Sequence, residues 1–132
     1  MKVFISHSNQ DNLLARKIAR VLQEEGLEVW DEQNILPGDN WAGKVAEALD
    51  ESQAMVVLLT PHALASEWVR REIEYALGKE NYTKRVVPVV VGQLSEESLP
   101  WILRRLKMIR LAEPAREDED IQRIADVLSK AS

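Results

Sequence analysis

The chain has 132 residues, of which 45% are hydrophobic and 30% are charged, values typical of one globular domain spanning residues 1–132 rather than of a disordered or fibrous chain. Its formal net charge is −5 and its basic residues are scattered among acidic ones, which argues against binding to nucleic acid or to an anionic membrane. Because the chain has no cysteine and its histidines, His7 and His62, are far apart, we expect no disulfide, no cysteine nucleophile and no metal site.

The first residues predict a strand followed by a helix and a second strand. Val3 to Ile5 is a short apolar run, and the cluster from Ser6 to Asp11 is rich in side chains that cap helices. Gly26 stands where the C-terminal cap of this helix belongs. Leu27 to Trp30 then alternates as a second strand.

A long loop precedes the next helix and strand. Asp31 to Asn40 contains Pro37-Gly38 and has little periodicity, which predicts a loop, and Trp41 begins the helix that follows. Ala54 to Leu59 is uniformly apolar, as expected of a central strand that is covered on both faces. Because this longest apolar run is too short to cross a bilayer, we expect a cytoplasmic protein.

The second half of the chain continues the alternation. Thr60-Pro61 caps and opens a third helix, which is predicted to run through Leu77 and to stop at Gly78. Arg85 to Val91 predicts a fourth strand, in which Pro88 lacks a ladder donor and favours a position near an edge or a bulge. The remaining predicted elements are a turn of helix at Trp101 to Leu106, a fifth strand at Met108 to Leu111 and a closing helix through Ile121 and Leu128.

Strands that alternate with helices predict an α/β, flavodoxin-like three-layer sandwich with a five-stranded parallel sheet in the order 2-1-3-4-5. Ligands of such sheets bind beyond the carboxyl ends of the strands, beside the switch point between the first and third strands. This rule directs attention to Ser6 to Asn9, Asp31 to Trp41 and Thr60 to Glu72.

A carboxylate interrupts the apolar face of the third predicted helix. Glu72 falls inside the buried arc of a helical wheel drawn with about 100° per residue, one turn after Trp68. Such a carboxylate is costly unless it is paired, protonated or open to a cavity, so Glu72 is either a structural hydrogen-bond acceptor or a functional group. Trp68 is either a core side chain or an aromatic plane for a flat cationic ring. The other members of the arc are Ala65, Val69, Ile73 and Ala76.

Four stretches of the sequence, in this order, resemble a bacterial Toll/interleukin-1 receptor (TIR) domain. They are Val3 to Ser8, Gly26 to Asp31, Ile35 to Trp41 and Ser66 to Glu72. The resemblance covers the chain from Lys2 to about Leu128 and is weakest between Gln93 and Lys107.

The resemblance implies an enzymatic activity. In the enzymatic members of this family, a glutamate four residues after a tryptophan in the third helix is the catalytic residue, and this pattern falls on Trp68 and Glu72. It implies an NAD+ glycohydrolase that releases nicotinamide and forms ADP-ribose or a cyclic isomer, with NAD+ as substrate and no cofactor. The family motif often has cysteine after its tryptophan; Val69 stands here, which we interpret as a variation in packing.

The resemblance also implies substrate contacts and partners. His7 and Ser8 are expected to contact the nucleotide, and the loop from Asp31 to Trp41, with Leu36 near its middle, is expected to border the pocket. The same loop is the surface through which TIR domains assemble with other TIR domains. The implied role is bacterial immune signalling or defence that is activated by self-assembly.

A single carboxylate suits this chemistry. Ordinary glycosides need an acid that protonates the departing oxygen as well as a second carboxyl group. Nicotinamide needs no general acid, because its ring nitrogen carries a positive charge in NAD+ and becomes neutral on leaving. A fixed carboxylate near the ribose would stabilise the positively charged ribosyl centre.

Other functions remain open, because fold alone does not decide function. The first alternative is a non-catalytic TIR scaffold, and a less favoured one is an enzyme like a nucleoside deoxyribosyltransferase, which shares a flavodoxin-like fold and a catalytic glutamate. A phosphoacceptor receiver domain is rejected, since it needs acidic residues where Ser6-His7-Ser8 and Leu59-Thr60 stand. Flavin binding is poorly supported, because the first loop lacks a phosphate cradle rich in threonine and glycine.

Overall fold

A computed structural model describes residues 1–30, 38, 40–78, 86–99, 101, 103–111 and 114–131. Five parallel strands form one sheet in the order β2-β1-β3-β4-β5, which confirms the predicted flavodoxin-like α/β arrangement. Each described strand end lies within one residue of its predicted position. The strands are β1 (Lys2–Ser6), β2 (Glu28–Val29), β3 (Ala54–Leu59), β4 (Val86–Val91) and β5 (Ile109–Leu111).

The helices begin and end at the residues whose side chains or backbone freedom suit those positions. Asn40 accepts a hydrogen bond from the backbone of Gly43 at the start of the second helix. Gly26 follows the first helix with φ +87°, the left-handed conformation expected of a C-terminal cap. The helices are α1 (Asn12–Glu24), α2 (Trp41–Glu51), α3 (Pro61–Leu64), α4 (Glu67–Leu77) and α5 (Glu117–Ala131).

The predicted third helix is two helices, α3 and α4, and the prediction of one continuous helix was wrong. Ala65 ends α3, and the backbone N–H of Ser66 donates to the carbonyl of Ala63 at 3.0 Å. The hydroxyl of Ser66 then accepts from the N–H of Val69 at 3.3 Å and caps α4. Ala65 consequently lies outside both helices and is exposed, although the helical wheel placed it in the buried arc.

Pro88 lies in a strand that is one position in from the edge of the sheet. It pairs in register with Val57 of β3, whereas the pairing of β4 with β5 begins one residue later, at Val89. Pro88, which has no N–H to donate, therefore comes one residue before the part of β4 that pairs with β5. β4 is thus an interior strand, and the edge of the sheet is its neighbour β5.

Two apolar clusters cover the two faces of the sheet. The first joins α1 and α5 to strand residues that include Ile5, and the second joins α2, α3 and α4 to strand residues that include Phe4. Because successive strand side chains point to opposite faces, Ser6 shares the face of Phe4 and points toward α4. The core is thus divided by the sheet, as the three-layer prediction requires.

Within the described ranges, no helix is long and apolar enough to cross a membrane. The same ranges contain no group of three or more histidine, cysteine, aspartate or glutamate side chains that could hold a metal ion.

Candidate active site

A buried carboxylate lies against the carboxyl end of β1. Glu72, in the second turn of α4, is 3% exposed, and Ser6, the last residue of β1, is fully buried. The Ser6 hydroxyl donates a hydrogen bond of 2.7 Å to Oε1 of Glu72 across 66 residues of sequence. The helix is therefore joined to the sheet at the edge where ligands of this fold bind.

The helix places Glu72 there because its apolar neighbours are buried. Val69 and Ile73, three residues before and one residue after Glu72, belong to the cluster on the α4 face of the sheet. Arg70 and Arg71 are exposed, as expected for the polar face of an amphipathic helix. The predicted placement of Glu72 inside the buried arc is confirmed.

Sequence reasoning did not single out Ser6. We interpreted the polar cluster from Ser6 to Asp11 as helix-capping residues, a role that Ser8 does fill by accepting from the N–H of Gln10 at 3.3 Å. The strand itself indicated the position of Ser6. Side chains alternate between the two faces of a strand, so Ser6 lies on the same face as Phe4, two residues earlier. Only knowledge of which helix covers that face links Ser6 to Glu72.

Trp68 lies one turn before Glu72 on α4. Its side chain is half-buried and packs against the apolar cluster of that face. Part of the indole therefore contributes to the core and part reaches the surface, and its role as an aromatic plane for a ligand stays a prediction.

His7 and Ser8 follow β1, and both are half-buried. The Nδ1 of His7 lies 2.8 Å from the carbonyl oxygen of Ser8, and because a carbonyl only accepts, Nδ1 carries the proton in this contact. Together with Arg16 and Trp30, His7 lines an open groove of about 310 Å³ beside α1, and Glu72 is not among its lining residues. The substrate contacts assigned to His7 and Ser8 stay predictions.

The remaining predicted site residues belong to the loop that precedes α2. Asp31 and Leu36 lie outside the described residues. Trp41 is the first residue of α2, and only its backbone is described.

Gly38 lies in the same loop. It has φ +93°, and no atom lies within 4 Å of a Cβ built on it. A side chain at Gly38 would therefore be disfavoured by this backbone conformation and not by crowding.

A second polar link ties the carboxyl end of β3 to the segment that follows β1. The hydroxyl of Thr60 donates to Oδ2 of Asp11 at 2.6 Å and accepts from the N–H of Ala63 at 3.0 Å. This link holds the starts of α1 and α3 together at the switch point of the sheet.

The arrangement brings together one buried carboxylate, one hydroxyl donor and one indole at the carboxyl edge of the sheet. A carboxylate that is shielded from water interacts more strongly with a positive charge than one in bulk solvent does. The site is therefore suited to stabilise a cation, or a carbon centre that becomes positive during a reaction.

Comparison with known proteins gives relatives of two kinds. The chain is 34% identical over 98 residues to the NAD(+) hydrolase TcpA of a Theionarchaea archaeon, covering 72% of this chain and 30% of that protein. It is 37% identical over 100 residues to the NAD(+) hydrolase ApTIR of an Actinoplanes species, covering 67% of this chain and 14% of the relative. The chain thus spans less than a third of the length of either relative.

The fold also resembles a receptor. A metazoan TIR-STING receptor from C. gigas in complex with 2',3'-cGAMP superimposes with a TM-score of 0.75 and 28% sequence identity, covering 93% of this chain and 39% of the receptor chain. Comparison with protein families matches residues 3–125 to the TIR domain. Since that match covers most of the chain, the chain belongs to the TIR domain family.

Proposed function

We propose that the chain is a TIR-domain NAD+ glycohydrolase in which Glu72 is the catalytic carboxylate. The observation that carries the proposal is the burial of Glu72 at the carboxyl edge of the sheet, hydrogen-bonded to Ser6. Two relatives named NAD(+) hydrolases, at 34% and 37% identity, support the same activity. NAD+ is the substrate, and the reaction needs no cofactor.

The reaction breaks the bond between C1' of the ribose and the ring nitrogen of nicotinamide. The bonding electron pair goes to that nitrogen, which neutralises the pyridinium, and the positive charge moves to the ribosyl centre. The carboxylate of Glu72 stabilises this centre electrostatically and accepts hydrogen bonds from the ribose hydroxyls. Trp68 stacks near the nicotinamide, while His7, Ser8, Asp31, Leu36 and Trp41 contribute to substrate binding.

Capture of the ribosyl centre completes the reaction. Addition of water, with release of one proton, gives ADP-ribose. Attack by a nucleophilic atom of the same nucleotide gives a cyclic isomer. Both products leave one equivalent of nicotinamide, so nicotinamide release reports the shared bond-breaking step and mass spectrometry separates the products.

The first prediction compares two glutamates on the same helix. Glu72→Gln keeps the shape of the side chain and removes its charge, so we expect nicotinamide release to fall by at least about 10²-fold. Its melting temperature should be unchanged or higher, because a buried charge is seldom a net stabiliser. The matched control is Glu74→Gln, which changes an exposed glutamate of α4. We expect the control to retain the wild-type rate.

The assay requires a folded chain at high concentration with a crowding agent, since TIR domains are expected to act as assemblies. Wild-type activity in Glu72→Gln would disprove the catalytic assignment. A wild-type chain that releases no nicotinamide under these conditions would favour the scaffold alternative instead.

The scaffold is the second candidate, and the similarity to a TIR-STING receptor supports it. Its partner would be a second TIR domain, and its role, like that of the enzyme, would be in immune signalling or defence. An enzyme like a nucleoside deoxyribosyltransferase is a third candidate. It would exchange the bases of deoxynucleosides, so incubation with a deoxynucleoside and a second free base distinguishes it from an NAD+ glycohydrolase.

A further inference from the structure

We infer that Ser6 is a positioning residue that fixes the carboxylate of Glu72 for the attack on NAD+, an inference that rests on the proposed function. The hydroxyl of Ser6 does not touch the reacting atoms in this role. It acts through Oε1 of Glu72, to which it donates at 2.7 Å.

The bond has the features of a strong, water-excluded interaction. Its length of 2.7 Å lies within the range for a hydroxyl that donates to a carboxylate. Neither partner is open to solvent, since Ser6 is fully buried and Glu72 nearly so. Because water does not compete at Oε1, the hydroxyl determines where that oxygen lies.

A glutamate needs such a partner because its side chain has several rotatable bonds, and a helix surface alone leaves the carboxylate free to rotate. Ser6 supplies a rigid reference. It is the last residue of β1 and pairs in register with Val57 of β3, in the interior of the sheet. A catalytic group held by a sheet residue is more accurately placed than one held by a loop.

The bond also leaves room for the substrate. The two oxygens of a carboxylate together accept up to about four hydrogen bonds. The Ser6 hydroxyl takes one of these positions, on Oε1, and thereby orients the carboxylate toward the ribose hydroxyls. The role of Ser6 is thus to set the direction of the acceptors that the substrate meets.

The chain contains a matched control in Ser52, at the end of α2. Ser52 is also fully buried, and its hydroxyl also donates a 2.7 Å hydrogen bond, in this case to the carbonyl of Ala48. Ser52→Ala and Ser6→Ala therefore each remove one buried hydroxyl and one hydrogen bond of equal length. Only Ser6→Ala removes a hydrogen bond to Glu72.

The test measures nicotinamide release with Ser6→Ala, Ser52→Ala and Ser6→Cys. We expect Ser6→Ala to lower kcat by about 10- to 100-fold and to change KM by less than about twofold, because a misplaced group impairs the reaction more than it impairs binding. Ser52→Ala should keep kcat within about twofold of wild type. Ser6→Cys retains a weak donor of similar size and should give an intermediate kcat.

Melting temperatures show which variants are folded. If Ser6→Ala does not fold, the conservative Ser6→Cys replaces it in the comparison of kcat with Ser52→Ala. Equal kcat values for Ser6→Ala and Ser52→Ala would overturn the positioning role and leave the proposed function intact. If only Ser6→Cys folds, a kcat equal to that of Ser52→Ala would do the same. A wild-type chain without NAD+ turnover would overturn both proposals together.

Discussion

At the scale of single residues, the site depends on how completely each side chain is removed from water. Glu72 and Ser6 are buried and hydrogen-bonded to each other, whereas Trp68, one turn away on α4, is only half-buried. A half-buried indole has an apolar body in the core and a remaining surface on which a planar ligand can stack. Trp68 is therefore the residue at this site for which packing and substrate binding have to be separated by measurement.

Trp68→Phe makes that separation. Phenylalanine retains most of the apolar volume, so we expect the free energy of unfolding to fall by about 1 kcal/mol. If the indole also stacks on the nicotinamide, the weaker stacking of phenylalanine should lower turnover by about five- to tenfold. The measurements are urea denaturation and nicotinamide release, with Trp101→Phe, at an exposed tryptophan, as the control. A destabilised Trp68→Phe with full turnover would assign Trp68 to the core alone.

At the scale of elements, the hydrophobic pattern of the sequence predicted the strands. It did not predict features that depend on one hydrogen bond. β3 was predicted at its observed bounds because a run of six apolar residues is too short for a typical helix and is what a strand covered on both faces shows. The break between α3 and α4 was missed because Ala65 and Ser66 include no glycine or proline. Ser66 acts there as a cap, which depends on the turn geometry. The contact of Ser6 with Glu72 was missed for a similar reason, since it spans 66 residues.

Thr60 joins two of these elements, and its hydroxyl can be tested separately from its shape. Thr60→Val keeps the volume but removes the donor to Asp11 and the acceptor for the N–H of Ala63. We expect the free energy of unfolding to fall by about 1–3 kcal/mol, because a buried cap and a charge-assisted hydrogen bond are both lost. Thr60→Ser retains the hydroxyl and should lose less. Equal urea midpoints for the two variants would show that the hydroxyl contributes nothing.

At the scale of the whole molecule, we expect the pocket to depend on the loop that precedes α2. The loop expected to border the pocket and to mediate assembly includes Asp31 and Leu36, which lie outside the described residues, and Gly38, which has φ +93°. If a neighbouring subunit completes the pocket through this loop, activity per molecule should rise steeply with protein concentration by mass action. A monomeric chain with constant specific activity would contradict assembly control.

Gly38→Val is the variant that tests the loop. A β-branched residue at a positive φ costs about 1–3 kcal/mol, so we expect the loop to change conformation and assembly to weaken while the sheet stays intact. Gly92 provides the control, because it also has a positive φ and open space around a built Cβ. Light scattering and specific activity across a concentration series should show a loss of assembly in Gly38→Val but not in Gly92→Val. Equal behaviour of the two variants would mean that strain, and not the loop, is responsible.

The lengths of the strands bear on how such a chain tolerates crowding. The longest strands, β3 and β4, are interior, whereas the two edges of the sheet are β2, with two residues, and β5, with three. Unpaired edges are templates on which other chains add strands and aggregate, and short edges offer few backbone groups for this. If the domain acts by gathering many copies, long unpaired edges would favour amyloid-like fibrils. Clustered copies of this chain should therefore contact one another through side chains and separate again on dilution.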